Sequence, residues 1–322
     1  MPGAEIDAVL LLDLMERMCR IRFFEDRITE LRAAGEVVGS VHLCSGQEAI
    51  CVGTTLALNL PHDLIFPTYR GHGWTLACGA PPEALFAELL GRADGVNGGR
   101  GGSAYLFAPD YGMYGENSIV GAGTVIASGA ALAATFDGSG RITVPVIGDG
   151  AMNQGSVHEA LNFASVRQLP VLFLVENNHW SELTPISSMS RREKLYTRAS
   201  AYGIPSARID GNDVLGVVAT MRQVVERIRA GEGPILIEAM TERIVGHYIG
   251  DALQYRSQEE RDRILEDEPI ARARRALLDA GVAVDEIDAA TERARSEINE
   301  ACERARNSPL PDPSTVLDHL YA

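Results

Sequence analysis

The chain has 322 residues, 46% hydrophobic and 23% charged, with a formal net charge of −15 at pH 7. That length and balance allow a large buried core, and the acidity speaks against nonspecific binding to nucleic acid or to an anionic membrane. Cys19, Cys44, Cys51, Cys78 and Cys302 form no C-x-x-C pair and no metal spacing, and an odd, scattered set suggests reduced thiols in a cytoplasmic protein. The apolar run Ala8–Leu12 is too short for a secretory signal, and no stretch approaches the length of a membrane span.

From Asp7 to Ala34 the chain is rich in helix formers. Leu11, Leu14, Met18, Ile21, Ile28 and Leu31 recur at helical spacing, which predicts a packing helix capped by Asp7 and ended by Gly35. Residues 39–58, GSVHLCSGQEAICVGTTLAL, start as a short strand-like piece. They turn helical at Ser45-Gly46-Gln47-Glu48, with a carboxylate near the positive helix end. His42, between Val41 and Leu43, reads on its own as a structural histidine. Leu64–Phe66 is strand-like and leads to Tyr69-Arg70-Gly71-His72-Gly73. A forked, permanent cation and a phenol on a glycine-containing loop suit a diphosphate, although a lone Tyr-Arg pair would be a surface feature. Residues 91–107 are too dense in glycine for a helix or strand and must form a loop; no G-K-[ST] follows, which excludes a P-loop. Residues 115–134 are helix-like and dominated by small side chains. That pattern suits close packing against another element, often across a subunit interface.

Val144–Ile147 is a short, mostly β-branched run and predicts a buried strand, broken by Gly148-Asp149-Gly150. A helix from about Gln154 to Gln168 follows, with Val157, Ala160, Leu161, Ala164 and Val166 on a helical period. Val171–Val175 is a second buried strand, ending in Glu176-Asn177-Asn178. Such a βαβ unit places Asp149 and Asn178, 29 positions apart, at carboxyl ends of parallel strands, the edge where open α/β sheets bind ligands. A carboxylate and an amide oxygen suit Mg2+ or Ca2+, and two side chains alone leave ligands to be supplied by other oxygens such as phosphates. Gly148 and Gly150 let backbone approach a ligand, and the N–H groups opening the next helix can receive phosphate.

Residues 181–198 are polar, contain Arg191, Arg192 and Lys194, and read as a surface loop. Ala207–Ile209 is a short strand, Gly211-Asn212-Asp213 a turn, and a helix near 214–230 leads to the strand Ile235–Glu238, a further βαβ passage. The loop 242–260 follows, with His247 between Gly246 and Gly250. A neutral imidazole there can pass a proton, although an isolated loop histidine is usually a surface residue. Residues 259–306 are charged and helical with breaks at Pro269 and Gly281, and Pro309, Pro311 and Pro313 mark an extended tail.

The ordered segments GDG, NQG, HEALN and ENN closely resemble the thiamine diphosphate-binding motif. More narrowly, they resemble the α subunit of the decarboxylating component of 2-oxo acid dehydrogenase complexes, the pyruvate and acetoin dehydrogenases. HLCSGQEA, YRGHG, GGS, IVGA, AYGIP, DGND and ERIVGH extend the resemblance over about residues 10 to 260. It implies an α/β thiamine diphosphate-binding fold with a mostly parallel central sheet and a helical C-terminal region. The whole of 1–322 is then expected to be one domain, with an N-terminal helix at about 7–34, a sheet core at about 39–250 and a helical segment at about 257–322.

The resemblance also implies thiamine diphosphate and Mg2+ as cofactors. Asp149, Asn178 and the backbone carbonyl of Trp180 would hold the metal. Tyr69, Arg70, Gly148, Gly150 and Ala151 would grip the diphosphate, with Arg243 nearby, and Ser118 and Val120 would meet the aminopyrimidine. His247 becomes the foremost catalytic candidate and a cofactor contact, His42 is implied at the substrate end, and His72 is placed near the chemistry. The implied reaction cleaves the C–C bond beside the carbonyl of a small 2-oxo acid or acetoin and passes the acyl unit to a lipoyl group. The implied partners are a β subunit, in a heterotetramer of two α and two β chains, and a lipoyl-bearing acyltransferase component. The departures at Cys44, Tyr105 and Ser118 leave open a thiamine-dependent carboligase or acyl transferase in specialised metabolism, acting without a lipoyl partner. An NAD-binding dehydrogenase is disfavoured because no G-x-G-x-x-G follows a first strand, and a catalytically dead interaction subunit is the remaining rival. Tyr248 stands where mitochondrial pyruvate dehydrogenases carry a phosphorylatable serine, so control at that site is not expected.

Overall fold

A computed structural model describes residues 7–318. The helices in chain order are α1 (Ala8–Ala33), α2 (Glu48–Thr55), α3 (His72–Ala77), α4 (Pro82–Leu89), α5 (Ala122–Asp137), α6 (Gly155–Arg167), α7 (Ile186–Met189), α8 (Val214–Arg227), α9 (Gln258–Glu266), α10 (Pro269–Asp279) and α11 (Val284–Arg306). The strands are β1 (Leu64–Phe66), β2 (Thr143–Gly148), β3 (Leu172–Asn177), β4 (Trp180–Ser181), β5 (Thr184–Pro185), β6 (Ser206–Asp210) and β7 (Ile235–Met240).

Five strands form one sheet in the order β1-β2-β3-β7-β6, and every neighbouring pair is parallel. The expected βαβ unit is present: β2 and β3 are adjacent, with Val146 opposite Leu174 and Gly148 opposite Glu176. Side chains alternate across β3. Leu172 and Leu174 enter the large core formed with α1, α8 and α11, while Phe173 and Val175 enter a second core with α6. Burial on both faces explains why these strands are continuous apolar runs rather than alternating ones. Truncating a residue such as Phe173, fully buried, to alanine should cost about 3–5 kcal/mol.

α1 begins where expected. The Asp7 carboxylate accepts from the Leu10 N–H at 3.0 Å, satisfying one of the free donors of the first turn. Gly35, with φ 78°, ends it in the left-handed conformation that glycine adopts without strain. The C-terminal region is helical, with Pro269 opening α10 and Gly281 in the α10–α11 turn.

Several local expectations differ from the structure. Residues 39–44 form no strand; Gly39 and Ser40 are exposed and Val41–Cys44 mostly buried, with backbone bonds from Ile249 N–H to Val41 and from Ile244 N–H to the following Ser45. α4 lies in a stretch for which no helix is expected, opened by Pro82. The small-residue helix α5 starts at Ala122, because Gly121 at φ 86° interrupts the helical path, and 115–121 is loop. Residues 181–198 hold the short antiparallel β4–β5 ladder and α7. The tail is not wholly extended: Pro313–Leu317 makes a 3₁₀ turn.

Candidate functional site

The parallel sheet brings four strand ends to one edge. Tyr69 and Arg70 follow β1, Asp149 follows β2, Asn178 follows β3 and Arg243 follows β7. All five line one cleft, together with Val120, Gly148, Gly150, Ala151, Trp180 and His247. These are most of the residues singled out from the sequence. His42 and Ser118 line an adjoining groove that shares Tyr69, Val120, Glu182 and His247 with the cleft.

Asp149 is almost fully buried, and its Oδ2 has no hydrogen-bond partner. Burial pushes its carboxyl up to about 6, against the Gly150 N–H that favours the anion. A buried carboxylate oxygen without a partner is costly unless a cation or donor meets it. The two asparagines of the ENN segment are tied differently. Asn177 donates to the Glu238 carboxylate inside the sheet at 2.6 Å. Asn178 donates through Nδ2 to Gln47 Oε1 at 3.3 Å, while its Oδ1 accepts from the Trp180 N–H at 3.3 Å. Asn178 therefore turns its amide oxygen towards the loop that carries Trp180. Among the described residues no group of three or more His, Cys, Asp and Glu side chains is placed to hold a metal ion, and Asp149 and Asn178 offer only two side-chain groups.

The two glycines flanking Asp149 behave differently. A Cβ at Gly148 would meet nothing within 4 Å, so its backbone faces open space, whereas one at Gly150 would collide with Ser181. The missing Cβ at Gly150 thus permits close packing of β4, while its backbone still lines the cleft.

Arg70 and Arg243 also divide their tasks. Arg70 donates from Nη1 to the Leu43 carbonyl and from Nη2 to the His247 carbonyl at 2.9 Å, tying two loops together. Arg243 is fully buried, with only Nη2 engaged, to the Glu182 carbonyl at 3.3 Å; Nε and Nη1 have no partner. Burial and the neighbouring Arg70 pull its guanidinium down to about 10, still charged at neutral pH. A charged guanidinium with two partnerless donors at the carboxyl edge of a parallel sheet, in the cleft that the backbone after Asp149 also lines, suits an anion. Asp149 and Arg243 together fit a metal–diphosphate group.

His42, Tyr69 and His247 form an aromatic corner at the other end. The His42 ring centroid lies 4.5 Å from Tyr69 and 5.0 Å from His247. Burial and then the charge of Arg70 lower His42 to about 3 and His247 to about 4. Both imidazoles are therefore neutral near pH 7 and able to accept a proton. The His247 loop is pinned by Asp251, which accepts from the His247 N–H and the Tyr255 hydroxyl, each at 2.6 Å. Tyr255 packs against Trp180, with centroids 4.7 Å apart.

His72 is not in the cleft. It is completely buried behind it, with Nδ1 2.8 Å from Glu25 and Nε2 2.8 Å from the Ser103 hydroxyl. Its ring packs in the core against Phe24, and it reaches the groove only through the Ser103 hydroxyl.

Several carboxylates that shape the site had no role assigned from the sequence. Glu88 of α4 accepts from the N–H groups of Asn97, Gly99, Gly101 and Gly102 at 2.6–3.1 Å, organising the glycine-dense loop. Glu116 accepts from Gly71 at 2.8 Å and Leu106 at 3.0 Å, joining the Tyr69-Arg70 loop to the same segment, and burial pushes its carboxyl up to about 8. Glu176 lines the cleft, accepts from Trp74 at 3.2 Å, and is pushed up by burial to about 7. A charged residue closing the apolar run VLFLV was a usable signal for Glu176; Glu88 and Glu116 sit in ordinary local sequence.

The chain matches the family model described as Dehydrogenase E1 component over residues 16–314. It is 39% identical over 319 residues to the α subunit of acetoin:2,6-dichlorophenolindophenol oxidoreductase of Bacillus subtilis, covering 99% of this chain and 96% of the relative. It is 38% identical over 311 residues to the pyruvate dehydrogenase E1 component subunit alpha of Zymomonas mobilis, covering 96% of this chain and 88% of the relative. The acetoin oxidoreductase α subunit of Cupriavidus necator is 38% identical over 318 residues, covering 98% and 95%.

Proposed function

This chain belongs to the dehydrogenase E1 component family, and we propose that it is the α subunit of a thiamine diphosphate-dependent dehydrogenase acting on pyruvate or acetoin. The observation that carries this reading is the pairing, in one cleft, of the partnerless Asp149 Oδ2 with the partnerless Nε and Nη1 of Arg243. When bound, thiamine diphosphate supplies the electron sink for cleaving the bond beside the substrate carbonyl. Asp149, Asn178 and the Trp180 carbonyl hold Mg2+. Arg243, Tyr69 and the backbone from Gly148 to Ala151 hold the diphosphate, with Arg70 fixing the loops around it. Val120 and Ser118 meet the pyrimidine end. Neutral His247 and His42 accept or return a proton at the substrate end.

A β subunit completes the site in this reading, in an assembly of two α and two β chains. Support comes from the paired helices α5 and α6, which leave Val125, Ile126, Phe136, Phe163 and Val166 exposed; exposed large apolar side chains on adjacent helices suit a protein interface. The acyl unit passes to a lipoyl-bearing component. The five cysteines are buried free thiols, which suits a reducing compartment, and on that ground we assign the protein to the cytoplasm; no helix among the described residues is long and apolar enough to cross a membrane.

The test is a side-by-side assay of the reconstituted αβ enzyme with pyruvate, acetoin and branched 2-oxo acids, with and without a lipoyl domain. Turnover of pyruvate or acetoin that depends on the lipoyl domain is the expected result. Carbon–carbon bond formation without it would assign a carboligase instead.

A further inference from the structure

Behind the groove beside the cleft lies a line of three side chains that the proposed function leaves without a role. Glu25 on α1 faces His72 Nδ1 at 2.8 Å, and His72 Nε2 faces the Ser103 hydroxyl at 2.8 Å. Glu25 and His72 are completely buried, and Ser103 is 5% exposed. Ser103 closes the glycine-dense loop and lines the groove with His42, Tyr69 and His247.

The order acid–imidazole–serine is that of a serine hydrolase. Two features rule that chemistry out. The Gly101 and Gly102 N–H groups, candidates for oxyanion donors, are already taken by Glu88 at 2.6 and 3.1 Å. The imidazole is also not a free base: burial alone would discharge it, but the facing Glu25 carboxylate overrides this and raises His72 above its usual range.

In its charged form, which the facing Glu25 carboxylate favours, His72 has a defined consequence for Ser103. Both ring nitrogens then carry protons, one given to Glu25 and the other to the serine oxygen. The hydroxyl accepts from behind and keeps its own proton for a partner elsewhere. We propose that Ser103 is a substrate-orienting donor, its hydroxyl fixed by the Glu25–His72 pair so that it offers its proton to a carboxylate or carbonyl oxygen of a small oxo substrate in the groove. Glu25 and His72 are positioning residues in this arrangement, and Glu88 holds the loop that carries Ser103. The inference rests on the proposed function for the identity of the groove as the substrate end.

The test uses the reconstituted αβ enzyme and whichever substrate the wild type turns over. Ser103→Ala should raise KM about tenfold or more, the range for a hydrogen bond to a charged partner, with kcat changed less and thiamine diphosphate affinity, measured by calorimetry, within about twofold. Ser103→Thr, which keeps the hydroxyl, should restore most of the KM. Ser103→Cys gives the same readout if the alanine variant does not fold. An unchanged KM in Ser103→Ala overturns the proposal, as does a loss of cofactor affinity parallel to the loss in KM. Wild-type turnover reports on the proposed function and the variant-to-wild-type KM ratio on Ser103, so each can fail separately.

Discussion

At the β2–β3 edge the cleft is built by the sheet. Asp149 and Asn178 are placed by the ends of two adjacent, fully buried strands, and their orientation follows from strand geometry. At the aromatic corner it is built by loops. His42, Tyr69 and His247 come from three separate segments, and what holds them is a set of carboxylates bonded to backbone N–H groups: Asp251 for the His247 loop, Glu116 for the Tyr69 loop and Glu88 for the adjoining glycine-dense loop. The first end is polar, with buried atoms lacking partners. The second carries neutral imidazoles, with its positioning supplied from behind. A diphosphate–metal group suits fixed charges, whereas imidazoles held neutral at pH 7 suit hydrogen bonding to an uncharged carbonyl.

Changes to the pins should separate the two ends. The largest effect is expected for Glu88→Ala, which strips four N–H groups of their acceptor. It should cost about 3 kcal/mol, read as a lower unfolding midpoint and faster hydrogen exchange across residues 97–105, while Glu88→Gln loses less. Asp251→Asn comes next. It disturbs the acceptor of the His247 N–H and the Tyr255 hydroxyl, and should lower kcat about tenfold with cofactor affinity within about threefold. Equal losses of both would merge the two ends into one unit.

A smaller effect is expected from pH. His42 and His247 fall to about 3 and about 4 in the folded chain, from the ordinary 6.5. As pH falls through 6.5 the unfolded chain binds protons first, so folded stability drops from about 6.5 down to about 4 for His247 and about 3 for His42, and is indifferent to these groups above that window. Denaturant midpoints at stepped pH should show this slope, and His247→Gln should flatten it. The smallest effect is expected for Ser118→Gly. Ser118 is only half-buried and lines the outer groove, so cofactor affinity should stay within about threefold, measured by the same calorimetry.

The sheet edge was legible from sequence for a physical reason. Apolar β-branched runs that end in polar residues mark both a strand and its exit, and one crossover connection places two such exits side by side. Asp149, Asn178, Tyr69 and His247 were all recoverable in this way or from motif resemblance, and the structure brings them to one cleft. The pins were not legible. Glu25 meets His72 across 47 positions and Glu116 meets Gly71 across 45, and nothing local distinguishes such a glutamate from a surface one until burial is known. For the same reason the sequence did not show that His72 reaches the groove through Ser103 from a buried position instead of lining it. The piece from Val41 to Ser45 resembled a strand because it is mostly buried, yet its backbone accepts from loop residues Ile249 and Ile244 rather than from the sheet.

The central claim is that Asp149 at the sheet edge holds the metal–diphosphate end of the cofactor. Calorimetric titration of thiamine diphosphate with Mg2+ into the αβ enzyme, wild type against Asp149→Ala, tests it most directly. Loss of about a hundredfold or more in Mg2+-dependent affinity, with the αβ assembly intact by sedimentation, is the predicted result. Unchanged affinity in an intact assembly would contradict it.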